Sequence, residues 1–142
     1  MLFNELSLKG SYLIDLEKRE DRRGFFARYF CKKEFSLHNL ATDWAQVNTS
    51  FTSKKGTIRG IHFQRPPKAE AKLVRSLKGS IFDVIVDLRA NSSTYGKWVG
   101  KELNDKNRKM MYVPEGFGHG FQTLTSNVEL LYFHSESYSN KY

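Results

Sequence analysis

Cysteine is nearly missing from this chain, with one residue, Cys31, among 142. An internal disulfide framework is therefore excluded, and the composition fits a reducing compartment. No thiol motif surrounds Cys31, so it reads as a small inert side chain. No stretch approaches the ~20 apolar residues of a membrane helix. Met1-Leu2-Phe3-Asn4-Glu5 lacks the pattern of a secretory leader, so the expected location is cytoplasmic. Repeats, low-complexity tracts and linkers are also missing. Residues 1–142 are therefore expected to form a single domain, long enough to bury a core.

Positive charge is abundant. Lys and Arg number 23 against 15 Asp and Glu, a net charge of +8, and the pI is ≈ 9.6. Such a balance points to an anionic partner, either nucleic acid or a phosphorylated small molecule. The basic residues are scattered, in short pairs such as Lys32-Lys33 and Lys54-Lys55. Without a basic helix, a glycine-arginine tract or zinc-finger spacing, no nucleic-acid partner is expected.

Apolar residues recur in short alternating runs rather than at helical spacing. Strands are expected at 12–15, 25–30, 45–52, 57–64, 72–77, 80–87, 97–103, 110–113, 120–123 and 129–134, with a helical turn or two at 32–38. Turn signals separate them, among them Asp21-Arg22-Arg23-Gly24, Lys54-Lys55-Gly56, Pro66-Pro67 and Lys78-Gly79. Many short strands and frequent turns predict an all-β, jelly-roll architecture. On the strand 80–87, alternation puts Phe82, Val84 and Val86 on one face and Asp83, Ile85 and Asp87 on the other. Asp83 then either faces a polar lumen or meets solvent, and Asp87 is expected to pair with Arg89.

Two segments carry chemistry. Thr57-Ile58-Arg59-Gly60-Ile61-His62-Phe63-Gln64, followed by Lys72-Leu73-Val74, sets an arginine, a histidine and a lysine among β-forming residues. A base, an anion clamp and a cation for developing negative charge suit proton removal beside a carbonyl on a phosphorylated substrate. In Pro114-Glu115-Gly116-Phe117-Gly118-His119-Gly120-Phe121, the spacing Pro-x-Gly-x-x-His resembles the second cupin motif. The first cupin metal motif needs His-x-His, whereas this chain offers His62 with Gln64. With only His62 and His119 as ligands, no bound metal is expected.

Further motifs stand in series: Arg23-Gly24-Phe25-Phe26, Gln46-Val47-Asn48-x-Ser50, Lys72-Leu73-Val74-Arg75, Asp83 to Arg89, Ser93-Thr94-Tyr95-Gly96, and Tyr132 with Tyr138. Together they resemble the dTDP-4-dehydrorhamnose 3,5-epimerase family over about Asp21 to Tyr138. The resemblance implies a cofactor-free cupin jelly roll, normally a homodimer, acting on a dTDP-4-keto-6-deoxyhexose. It implies His62 as base, Lys72 beside the enolate oxygen, and Tyr132 as donor from the opposite face. It implies Arg23 and Arg59 on the diphosphate, Gln46 and Asn48 on sugar or base edges, and His119 in the lumen. Tyr138 and the Phe25-Phe26 pair, chiefly Phe26, would offer aromatic surface, with at least one of the two phenylalanines packed in the core by alternation.

Two departures accompany the resemblance. Arg28 stands where the family usually has a substrate-facing glutamate. Family members also continue past the position of Tyr142 and supply from that tail an aspartate that orients the histidine. With the tail apparently absent, Asp83 is the expected internal substitute. These departures leave room for a single-centre epimerase on another nucleotide 4-keto sugar, a non-catalytic nucleotide-sugar-binding cupin, or a basic barrel that binds nucleic acid.

Overall fold

The computed structural model describes residues 1–142. In chain order the elements are β1 (Leu2–Glu5), β2 (Tyr12–Asp15), β3 (Arg19–Asp21), β4 (Gly24–Phe26), α1 (Lys32–Ser36), β5 (Gln46–Thr52), β6 (Ile58–His62), β7 (Lys72–Lys78), β8 (Ser80–Asp87), β9 (Trp98–Asn104), β10 (Met110–Val113), β11 (Phe117–Thr123) and β12 (Val128–His134). All pairings are antiparallel. They give a six-stranded sheet in the order β1-β2-β10-β7-β12-β5, a four-stranded sheet β6-β11-β8-β9, and a separate hairpin β3-β4. This is the expected all-β jelly-roll class, present as two packed sheets that do not close into a continuous barrel.

Period-2 alternation decides what each sheet buries. On β10, Met111 and Val113 join the core between the sheets, with Val74, Leu130, Ile81, Ile85, Leu103, Phe117 and Phe121. Met110 and Tyr112 point the other way, into a second cluster with Ile14, Leu73, Phe35 and Leu40. Helix α1 and the segment after it thus cover the outer face of the six-stranded sheet. Both faces of that sheet are buried at its centre, which is why β10 has no exposed residue.

The structure adds two strands that were not expected, β1 and β3, and differs from expectation elsewhere as well. The expected strand 25–30 ends at Phe26, because Tyr29 turns onto Arg75, whose guanidinium lies 3.5 Å from the Tyr29 ring centre. Neither Phe25 nor Phe26 packs in the core. Phe25 lies under Lys18 and Arg108, and Phe26 is 69% exposed. β11 begins at Phe117 rather than at Gly120. Gly118 is strand interior, where a Cβ would sit 2.6 Å from Ile61 on the adjacent strand.

Candidate active site

One end of the space between the sheets turns polar. The inner face of β12 runs Val128, Leu130, Tyr132, His134, apolar at one end and titratable at the other. In register, Tyr132 lies between Asn48 of β5 and Val74 of β7, and His134 lies between Gln46 and Lys72. The six-stranded sheet thus presents Gln46, Asn48, Tyr132, His134 and Lys72 as one wall.

The other wall comes from the four-stranded sheet. There Arg59 pairs with Phe121 and His62 with His119, so three steps along β6 match two along β11. This is a β-bulge. Strict alternation would put Arg59 and His62 on opposite faces; the extra residue turns both into the cleft. Gly60, at φ +99°, supplies the bulge, and a Cβ there would lie 2.6 Å from the His119 carbonyl oxygen.

The walls enclose two cavities of ≈ 410 and ≈ 250 Å³ that share Asn48, His62, Lys72 and His134, forming one cleft. Phe63, Gln64 and Tyr138 line the larger part; Ser50, Arg59, Phe121 and Tyr132 line the smaller.

Electrostatics differentiate the groups. The His62 ring is open on its cleft side and stands edge-on to His119, with centroids 5.9 Å apart. Burial on the wall side, then the charges of Lys72 and His119, push its pKa from 6.5 down to about 4, against the opposing pull of Glu70. His62 is therefore neutral at pH 7 and free to take a proton. Burial pushes the Tyr132 phenol up to about 12, although the 2.8 Å hydrogen bond with Ser50 Oγ pulls the other way. Tyr132 therefore keeps its proton.

Two buried carboxylates stand behind the walls. Asp83 is fully buried and lies 2.7 Å from His119 Nε2. Glu70 holds Lys72 Nζ at 3.1 Å with one oxygen and His134 Nδ1 at 2.9 Å with the other. Burial raises the Glu70 pKa, but the His134 hydrogen bond and the Lys72 charge outweigh it and leave it below the usual carboxylate value.

Comparison with known proteins gives this arrangement a family. The family model described as dTDP-4-dehydrorhamnose 3,5-epimerase matches residues 5–142. The chain belongs to the dTDP-4-dehydrorhamnose 3,5-epimerase family. It is 44% identical over 140 residues to the enzyme of that name from Methanothermobacter thermautotrophicus, covering 99% of this chain and 75% of the relative. It is 39% identical over 139 residues to a dTDP-4-dehydrorhamnose 3-epimerase from Streptomyces niveus, covering 97% of this chain and 67% of the relative. The crystal structure of the Bacillus anthracis 3,5-epimerase with TDP and PPi bound superposes with a TM-score of 0.95 at 38% identity, over 99% of this chain and 80% of that one.

Of the residues expected from the sequence, this family member gathers His62, Lys72, Tyr132, Arg59, Gln46, Asn48 and Tyr138 around the cleft. His119 lies fully buried behind His62 instead of lining the cleft. Asp83 is also misassigned as the carboxylate that orients His62, because its hydrogen bond goes to His119. Asp87 pairs with Arg89 as expected, with Ser92 and Thr94 donating to the same carboxylate. Arg23, Phe26 and Arg28 lie outside this chain's own cleft. They sit on or just after the β3-β4 hairpin, where Arg23 pairs with Asp21 and Arg28 with Glu34. The hairpin makes no ladder with either large sheet, so a position on β4 gives no place on a cleft wall. Sequence reasoning missed Glu70 and His134. His134 had a usable signal, since it shares a strand face with Tyr132 two residues away.

Proposed function

We propose that this chain is a nucleotide-sugar epimerase that inverts carbons 3 and 5 of a dTDP-4-keto-6-deoxyhexose, in the synthesis of a rhamnose-type deoxysugar. The observation that carries the reading is the meeting of His62 and Tyr132, from different sheets, in one cleft beside Lys72. The ketone at carbon 4 acidifies the protons on carbons 3 and 5. Neutral His62 takes one such proton, and the electron pair moves onto the carbonyl oxygen. The Lys72 ammonium stabilises that oxygen as its charge develops. Tyr132, protonated and on the facing wall, returns a proton to the other side of the carbon, and the centre is inverted.

Arg59 binds the diphosphate, with its guanidinium steadied by Thr52 Oγ1 at 3.1 Å. The TDP carried by the Bacillus anthracis relative supports a thymidine nucleotide. Gln46, Asn48 and Tyr138 recognise sugar and base. Residues 1–142 act as one domain and as a homodimer. In support, β5 and β6 are sheet edges, and Val47, Phe51 and Ile61 are exposed on them. Arg23 and Phe26, which lie outside this chain's own cleft, would meet substrate in the cleft of a second copy. No helix is long and apolar enough to cross a membrane, and a cytoplasmic location belongs to the same proposal.

The test is deuterium incorporation, followed by NMR with dTDP-4-keto-6-deoxyglucose in heavy water. Exchange at carbons 3 and 5 is expected. Exchange at carbon 3 alone would replace the double epimerase with the single-centre reading, which the Streptomyces niveus relative favours. No exchange at either carbon would overturn the proposal.

A further inference from the structure

The Glu70–His134 pair lies in the cleft and has no part in the steps above. His134 continues the inner face of β12 one position beyond Tyr132, and the two ring centroids are 6.1 Å apart. It lines both parts of the cleft. The Glu70 side chain is 7% exposed and already accepts from the Lys72 ammonium. An ionised carboxylate cannot donate, so His134 Nδ1 carries the proton shared with Glu70, and its Nε2 is the nitrogen left free. A carboxylate that fixes tautomer and ring orientation in this way is the usual support of a working imidazole. Within residues 1–142 the two buried carboxylates are taken by other groups, Asp83 by His119 and Glu70 by His134 and Lys72.

The wall facing His62 therefore carries two proton carriers in line along one strand. The proposed substrate has two acidic carbons, one on each side of the ketone. We propose that His134, held by Glu70, is a second proton donor on that wall, serving one of the two carbons while Tyr132 serves the other. The inference rests on the epimerase reading above. In the step, the C–H bond breaks to His62 and the pair moves to the carbonyl oxygen. His134 first takes a proton from solvent on Nε2, and the enolate re-forms the ketone as carbon takes that proton. His134 is left neutral with its Nδ1–H on Glu70, and both histidines reset by exchange with solvent. Glu70 is a positioning residue in this scheme.

The experiment follows inversion at each carbon by NMR, beside the same heavy-water exchange assay, on wild type and three variants. His134→Asn keeps an N–H for Glu70 and removes the titrating ring. Inversion at one carbon should fall by about 10²-fold or more, the usual contribution of a general acid, while the other carbon stays within a few-fold of wild type. Glu70→Gln, which also loosens Lys72, should show a loss that is larger at the carbon His134 serves than at the other. Relative to Glu70→Gln, the double variant should lose further only at that carbon, and by less than the two single losses combined, since the two residues act together there. Thermal melts establish that each variant is folded, and Glu70→Gln carries the test should His134→Asn fail to fold. Equal losses at both carbons, or no loss, in a folded variant overturn the inference and leave the epimerase reading standing. Wild type that exchanges at one carbon only overturns the second-donor role but supports a single-centre enzyme. Wild type silent at both carbons overturns the reading and the inference together.

Discussion

Alanine at position 60 would collide with the main chain of the adjacent strand. The added Cβ would lie 2.6 Å from the His119 carbonyl oxygen and 2.7 Å from the Gly120 Cα, and it would stand at a backbone φ of +99°. The left-handed conformation costs a non-glycine residue about 1–3 kcal/mol. Forcing a methyl against backbone adds roughly 1–3 kcal/mol, since neither neighbour is a flexible side-chain end. The sum of about 2–6 kcal/mol is a large share of the ~5–15 kcal/mol stability of an ordinary domain. For a chain of this size it lowers Tm by on the order of 10 °C. The alternative to strain is loss of the bulge, which would turn Arg59 and His62 to opposite faces and dismantle the cleft. Gly60→Ala is therefore expected to lower Tm in a calorimetric scan and, in the folded fraction, to cut kcat more than tenfold. A variant with wild-type Tm and wild-type turnover would refute the account of how β6 delivers both residues.

Three further outcomes are expected. Tyr132→Phe should slow inversion while hydrogen exchange at the acidic carbon continues, because removal and return use different groups; equal loss of both would assign Tyr132 a structural part. The base must be neutral to act, so activity is lost as pH falls through its pKa, and a value of about 4 rather than 6.5 places the acid limb of kcat/KM near pH 4. Near-full kcat/KM at pH 5.5 is the expected measurement, and a limb centred on 6.5 would show that the cleft does not depress His62. Lys72→Met leaves Glu70 buried with His134 as its remaining partner and should cost about 3–5 kcal/mol in chemical denaturation; unchanged stability would mean that the ion pair is open to water.

Alternation made much of the scaffold legible. The bounds of β8 and β10 followed directly from their patterns, whereas alternation left Asp83 open between lumen and solvent until the structure buried it. The cleft was legible only where side chains follow strand periodicity or a familiar motif. The bulge at Gly60 breaks periodicity by design, so the shared direction of Arg59 and His62 cannot be read from spacing. Glu70 lies in a loop and meets His134 across 64 residues of chain, a pairing that register creates and local sequence does not encode. Arg23 and Phe26 carry a strong motif, yet a hairpin outside both large sheets holds them away from this cleft. Arg28 answers a neighbouring carboxylate, Glu34 on α1, 2.8 Å away, a contact that its own local sequence does not signal.

The two walls of the cleft are unequally anchored. β7 and β12 are hydrogen-bonded on both sides within a sheet whose two faces are covered, whereas β6 is an edge strand with all five residues exposed. Amide protons of β7 and β12 should therefore outlast those of β6 in hydrogen exchange by orders of magnitude. The cleft works as a fixed anvil carrying Lys72, Tyr132 and His134, with a lighter jaw carrying His62 and Arg59. Sugars of different bulk would be accommodated by the jaw, leaving the geometry of proton return untouched.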